Sequence, residues 1–204
     1  MTLNTVGAPR TINTHIYISL IMHARAEDMA EDNPNELLVM GCAYTPRFGD
    51  DKTTLFNHGE MNQEFADRIK GLPVHIEHQT DKTIGEVKEA FINERRQLMT
   101  LLHLSGDPVV NSKLPEKLFR GTGADDRRFY NGLSLGNGVG FEVKRHPGGY
   151  TTKEVVGNAP TEVSVVREGN RPMTEIVDYW VLPKSANVDD YIRENINPFI
   201  VRHH

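Results

Sequence analysis

Three short segments of the chain carry side chains able to move protons and attack carbonyl carbon. The first is Gly71-Leu72-Pro73-Val74-His75-Ile76-Glu77-His78-Gln79-Thr80-Asp81. Strand alternation sends His75 and Glu77 to one face and Val74, Ile76 and His78 to the other. His78 then stands among apolar neighbours at a strand end. An imidazole there needs a hydrogen-bond partner and titrates near neutral pH, as a general base must. Read alone, His78 is a structural histidine with a satisfied partner.

The second segment, Asn131-Gly132-Leu133-Ser134-Leu135-Gly136-Asn137-Gly138-Val139-Gly140-Phe141, sets Ser134 between two leucines with glycines on either side. Glycine allows close backbone approach, which suits a hydroxyl that must meet a bulky acyl group. The same residues also describe a bulged glycine-rich strand in which Ser134 is filler. There is no G-x-S-x-G, so the α/β-hydrolase elbow is not supported. The third segment is Ala159-Pro160-Thr161-Glu162-Val163-Ser164-Val165-Val166-Arg167-Glu168-Gly169-Asn170-Arg171. Glu162 opens an apolar strand on the face of Ser164 and Val166, a place where a carboxylate is most often a solvated edge charge. The Gly169-Asn170-Arg171 turn after it is able to aim backbone N–H groups into a cleft, as an oxyanion hole requires.

The elements that must position these groups are mostly strands. Thr14–Met22, Leu37–Tyr44 (ending at Pro46), Val74–His78, Ile84–Phe91, Leu98–Leu104, Gly132–Val143, Glu162–Val166 and Glu175–Val181 are rich in β-branched, aromatic or other apolar residues. Helical spacing through Met61, Phe65 and Ile69 predicts a helix within Gly59–Lys70, stopped by Gly71 and Pro73. Asn111–Phe119 forms a short helix, and Val188–Glu194 a second behind an Asn187 cap. Ala26–Glu36 and Gly121–Asn131 read as loops. The expectation is a mainly β (α+β) chain: a single antiparallel β-barrel, closed or partly closed, flanked by a few helices. One domain spans residues 1–204, with its core at about 12–182 and a helical tail at 183–204; His203 and His204 are set aside as a tag remnant or a native end.

Taken in order, the three segments resemble those of the herpesvirus assemblin and tailed-phage prohead protease superfamily. Leu72-Pro73-Val74-His75-Ile76-Glu77-His78 is similar to the Leu-Pro segment leading into the strand that ends in that family's histidine, and Ile84-Gly85-Glu86-Val87 to its next strand. Gly132-Leu133-Ser134-Leu135 resembles the nucleophile segment, Glu162-Val163-Ser164-Val165-Val166 the strand of the third member, and Gly169-Asn170-Arg171 the oxyanion loop. The resemblance runs from Leu72 to Arg171, about half of the chain. Glu162 stands where herpesvirus enzymes have histidine, an exchange tolerated among phage relatives, and Arg171 stands beside Asn170 where they pair two arginines.

The resemblance implies a herpesvirus-protease-like fold and a serine endopeptidase in which Ser134 attacks, His78 moves the proton, Glu162 orients His78, and backbone N–H groups at Asn170 and Arg171 bind the oxyanion. It implies scaffold and capsid proteins as substrates inside an immature viral prohead in the host cytoplasm, self-cleavage, and a possible homodimer or higher oligomer. Cleavage after Glu, with a small or aliphatic residue two positions earlier, fits Ile192-Arg193-Glu194 and Leu114-Pro115-Glu116. No cofactor and no metal are expected.

Composition narrows the field without choosing within it. The 204 residues carry 23 Lys and Arg against 28 Asp and Glu, a net charge of −5 that disfavours a nucleic-acid binder. The single cysteine, Cys42, excludes an intrachain disulfide framework and fits a reducing compartment. No apolar run reaches membrane-spanning length, and the N-terminus shows no signal-peptide pattern. Two competing readings remain. One is a metal-dependent hydrolase using His75, His78 and Glu77, with His58 or His103 as a further ligand and Glu77 or Asp81 behind a histidine. The other is a non-enzymatic head-assembly barrel that binds scaffold protein.

Overall fold

A computed structural model describes residues 36–45, 61–106, 108–109, 113–119, 129–171, 173–182 and 185–200. All of them fall within the unit Pro34–His204. The expected strand at 14–22 and the loop at 26–35 lie outside the described residues, as does 121–128.

Among the described residues seven strands make one sheet: β1 (Glu36–Tyr44), β2 (Pro73–Ile76), β3 (Gly85–Ile92), β4 (Leu98–Ser105), β5 (Gly132–Arg145), β6 (Thr151–Val166) and β7 (Ile176–Leu182). Their order is β5-β6-β2-β3-β4-β1-β7. The sheet curls until its two edges touch at one antiparallel bridge, Gly132 to Glu175. Ile176 N donates to Asn131 O (2.8 Å) and Leu133 N to Thr174 O (3.3 Å) beside it.

The expected antiparallel barrel is corrected to a mixed sheet curled into a half-barrel, whose edges, among the described residues, meet only at that bridge. β2 and β6 run parallel, opposing Val74 to Val163, His75 to Ser164 and Ile76 to Val165. Their long separation in sequence leaves their direction free of any hairpin constraint. The β5–β6 hairpin also extends well past the predicted limits, to Arg145 and back from Thr151. Along its described outer residues no buried position imposes alternation; Glu142, Val143, Lys144 and Arg145 are all exposed.

Neighbouring strands β1 and β4 supply much of the core. Leu37, Leu38 and Val39 of β1 and Leu101, Leu102 and Leu104 of β4 are fully buried. Helix α1 (Gln63–Asp67) is shorter than its spacing predicts, but Met61, Phe65 and Ile69 all bury as that spacing requires. Asn62 caps it, its side chain accepting from Phe65 N (2.9 Å). Helix α2 spans Leu114–Phe119. The tail comprises α3 (Val188–Tyr191), a π turn (Ile192–Ile196) and α4 (Asn197–Ile200). Asn187 caps α3 by accepting from Asp189 N and Asp190 N. Ile192 and Ile196 then pack on Leu38, Leu101, Trp180 and Leu182, so this part of the sheet is covered on its second face.

Candidate active site

Three neighbouring strands build a row of small polar side chains. Ser134 of β5 opposes Ser164 of β6, and Ser164 opposes His75 of β2. Opposed residues in adjacent strands project to the same side. Two residues back along β6 the period of 2 returns Glu162 to that side, opposite Gly136. Glu162 is 4% exposed and twelfth in its strand, so it neither opens the strand nor faces solvent. A Cβ at Gly136 would overlap Glu162 Oε1, so glycine here is room for the carboxylate.

His78 reaches the row by a different route from the one alternation predicts. β2 ends at Ile76, and Glu77 (φ 49°) and His78 (φ 59°) both adopt left-handed backbone. For non-glycine residues this conformation costs about 1 kcal/mol each. Four hydrogen bonds hold the corner, one of them the local turn bond from Gln79 N to Ile76 O (2.9 Å). Glu77 N donates to Val165 O (3.1 Å), Arg167 N donates to Glu77 Oε1 (2.9 Å), and His78 N donates to Ser164 Oγ (3.1 Å). The chain is thus turned back over β6, and strand faces no longer decide where His78 points.

The imidazole lies between the other two groups. His78 Nδ1 is 2.6 Å from Glu162 Oε1, and His78 Nε2 is 3.1 Å from Ser134 Oγ. An ionised carboxylate only accepts, which assigns the proton to Nδ1 and leaves Nε2 to accept from the Ser134 hydroxyl. Glu162 Oε2 accepts from Ser164 Oγ (2.6 Å). The His78 side chain is 46% exposed against 6% for Glu162, so the ring faces outward with its carboxylate behind it.

Ser134 lines a small pocket together with Ala43, Tyr44, Asn170, Arg171 and Thr174. The Arg171 guanidinium lies over the Tyr44 ring, 4.4 Å from its centroid. Gly169 admits Thr174 beneath the turn, because a Cβ there would overlap Thr174 Oγ1, and Thr174 Oγ1 donates to Arg171 O (2.7 Å). Cys42, next to this wall, is no rival nucleophile. Burial pushes its thiol up to about 11, with the Glu175 charge adding to the rise, so it stays protonated near neutral pH.

The histidines proposed as metal ligands are distributed otherwise. His75 and His78 both face Glu162, and His103 faces Glu36 at 3.6 Å. Glu77 is committed to Arg167 N. Among the described residues no three His, Cys, Asp or Glu side chains are arranged to hold a metal ion; His58 lies outside them. The residue that sequence reasoning missed is Ser164, although its i, i+2 relation to Glu162 already put the two on one face.

No family model matches the chain, and no curated protein sequence matches it. Solved structures do. The chain is similar to Kaposi's sarcoma-associated herpesvirus protease in complex with a hexapeptide phosphonate inhibitor, with a TM-score of 0.46 at 15% identity over 82% of this chain and 75% of that one. It is similar to the same virus's protease in complex with an allosteric inhibitor at a TM-score of 0.42, 14% identity, and coverage of 82% and 90%. A further structure of that protease, in complex with a dimer disruptor, matches at a TM-score of 0.42 and 12% identity, covering 82% and 88%.

Proposed function

We propose that the protein is a serine endopeptidase that cleaves scaffold and capsid proteins inside the immature prohead of a tailed phage. The observation that carries the peptidase reading is the His78 ring, hydrogen-bonded through one nitrogen to Ser134 and through the other to a buried carboxylate. The prohead substrate rests on the ordered resemblance of the Leu72, Ser134 and Glu162 segments to that superfamily.

Ser134 Oγ attacks the scissile carbonyl carbon as His78 Nε2 takes its proton. Glu162 holds the resulting imidazolium through Nδ1–H. Backbone N–H groups at Asn170 and Arg171 receive the oxyanion, a contribution of about 2.7–4 kcal/mol per donor. Collapse of the tetrahedral adduct breaks the C–N bond, and Nε2–H protonates the leaving amine. Water, deprotonated by His78, then releases the acyl group from Ser134. The work is done in the host cytoplasm within the assembling shell, by a homodimer or higher oligomer.

Self-processing after Glu194 belongs to the same reading. In the folded chain Ile192 is 5% exposed inside a helical turn, and Leu114-Pro115-Glu116 opens α2. An extended segment is what a peptidase takes up, so cleavage at either place follows local unwinding.

The test is labelling by a serine-directed peptidyl phosphonate, read by intact mass, beside cleavage of a phage scaffold protein. Wild type acquires one adduct, located on Ser134, and trims the scaffold, whereas Ser134→Ala does neither. An unlabelled wild type that binds scaffold without cutting it would establish the head-assembly barrel instead.

A further inference from the structure

Glu162 has two carboxylate oxygens, and the peptidase mechanism uses one of them. Oε1 serves His78. Oε2 accepts from Ser164 Oγ at 2.6 Å, and His75 Nδ1 stands 3.9 Å from the same atom. His75 is 5% exposed; its Nδ1 is shielded from solvent and has no hydrogen-bond partner, while its Nε2 meets Thr83 Oγ1 at 3.3 Å. A buried imidazole nitrogen left unpaired is costly, and so is a buried carboxylate with too few donors. The parallel register that opposes His75 to Ser164 turns both toward one oxygen.

We propose that His75 and Ser164 are positioning residues for Glu162, acting on His78 through the carboxylate. Thr83 donates its hydroxyl proton to His75 Nε2, which sets the proton on Nδ1 and directs Nδ1–H at Glu162 Oε2. Ser164 donates to the same oxygen and also accepts from His78 N. Ser164 therefore ties the carboxylate to the backbone of the residue it orients, and His75 closes the other side. With Oε2 held at two points, the carboxylate cannot rotate, and Oε1 remains available to His78 Nδ1–H. A carboxylate oxygen has lone pairs enough for both donors. Apo-state hydrogen bonds at such sites are commonly long and tighten with substrate, which fits the 3.9 Å separation. The kinetic arm of this inference rests on the peptidase reading; its spectroscopic arm does not.

The experiment compares wild type with His75→Leu, His75→Asn, Ser164→Ala and Ser164→Thr. It uses steady-state peptide cleavage and the downfield proton NMR signal of the hydrogen between His78 Nδ1 and Glu162 Oε1. His75→Leu and Ser164→Ala are expected to lower kcat by about 10- to 100-fold, the range for a lost charge-assisted hydrogen bond, with KM within about twofold. Both are expected to shift or broaden the downfield signal. Asparagine presents an N–H near the place of Nδ1–H and threonine keeps the hydroxyl, so His75→Asn and Ser164→Thr recover most of kcat and the signal. A folded His75→Leu with wild-type kcat and wild-type signal overturns the role of His75. Thr83→Val, at an exposed position, frees the tautomer without a core change. It lowers kcat several-fold if the inference holds, and leaves kcat and signal untouched if it fails. A wild type that cleaves nothing but loses its downfield signal on His75→Leu would overturn the peptidase reading and uphold this one.

Discussion

Leu101 of β4 and Glu162 of β6 are both almost fully shielded from water, with two strands, β2 and β3, between them in one sheet. Around Leu101 the buried neighbours are the apolar Leu38, Trp180, Leu182, Ile192 and Ile196. Around Glu162 stand the buried Ser164 and His75 and the half-exposed His78 ring, joined by contacts of 2.6–3.9 Å. Burial of apolar surface rewards any shape that excludes water. Burial of a carboxylate is tolerable only where each oxygen finds donors. The β1–β4–β7 side should therefore govern stability and forgive changes of shape, whereas the β5–β6–β2 side should govern activity and forgive none. That division is open to attack from either side.

The largest expected effect is Ser134→Ala. It should lower peptide cleavage by about 10⁴-fold or more while leaving the denaturation midpoint close to wild type. A variant that keeps cleavage within tenfold would remove Ser134 from the chemistry. Leu101→Ala is the converse. It should lower unfolding free energy by about 2–5 kcal/mol, because the hole lies between two packed layers, with kcat of the folded fraction unchanged. A loss of kcat larger than the loss of folded protein would mean the two sides are not separable. Gly136→Ala adds one methyl where Glu162 Oε1 lies. A displacement of the carboxylate by about 1 Å should cost roughly 10²-fold in kcat/KM. Wild-type kinetics in that variant would show that the carboxylate has another way to reach His78.

The same division explains what was legible in the sequence. Leu37–Tyr44, Ile84–Phe91 and Leu98–Leu104 were readable as strands because apolar burial leaves a compositional trace. Met61, Phe65 and Ile69 gave the buried face of α1, and Asn187 the start of α3, for the same kind of local reason. Ser134, His78 and Glu162 were picked out as residue types, yet their meeting depends on features with no local signature. The parallel β2–β6 register and the left-handed pair Glu77-His78 are set by contacts with Val165, Ser164 and Arg167, 86 to 90 residues away in the two side-chain cases. Alternation applied to Val74–His78 therefore gave the wrong face for His78. The role of Ser164 was within reach of the i, i+2 rule and was missed because a serine amid valines reads as filler.

Left-handed backbone occurs on both sides of the division and supplies the finest test. In the β3–β4 hairpin, Arg96 (φ 59°) sits in a turn closed by Asn93 N to Gln97 O (3.0 Å), with Asn93 Oδ1 accepting from Arg95 N and Gln97 N. These bonds join the Asn93 side chain and backbone to the backbone of Arg95 and Gln97 and do not use the Arg96 side chain. Arg96→Gly should thus relieve strain and raise stability by about 0.5 kcal/mol, the gain being limited by the greater freedom of glycine in the unfolded chain. Activity should not change. Glu77→Gly removes the same kind of strain, but it also deletes the carboxylate that accepts from Arg167 N and locks the turn preceding His78. A corner released in this way should let the ring sample positions away from Ser134. The expected result is stability within about 1 kcal/mol of wild type, because strain relief offsets the lost hydrogen bond, with kcat down about tenfold. Equilibrium unfolding and peptide cleavage measured on both variants decide the matter. If Glu77→Gly matched Arg96→Gly in both measurements, the strained corner would be an ordinary turn and the precision of the His78 placement would have to come from Ser164 and the backbone bonds of the corner.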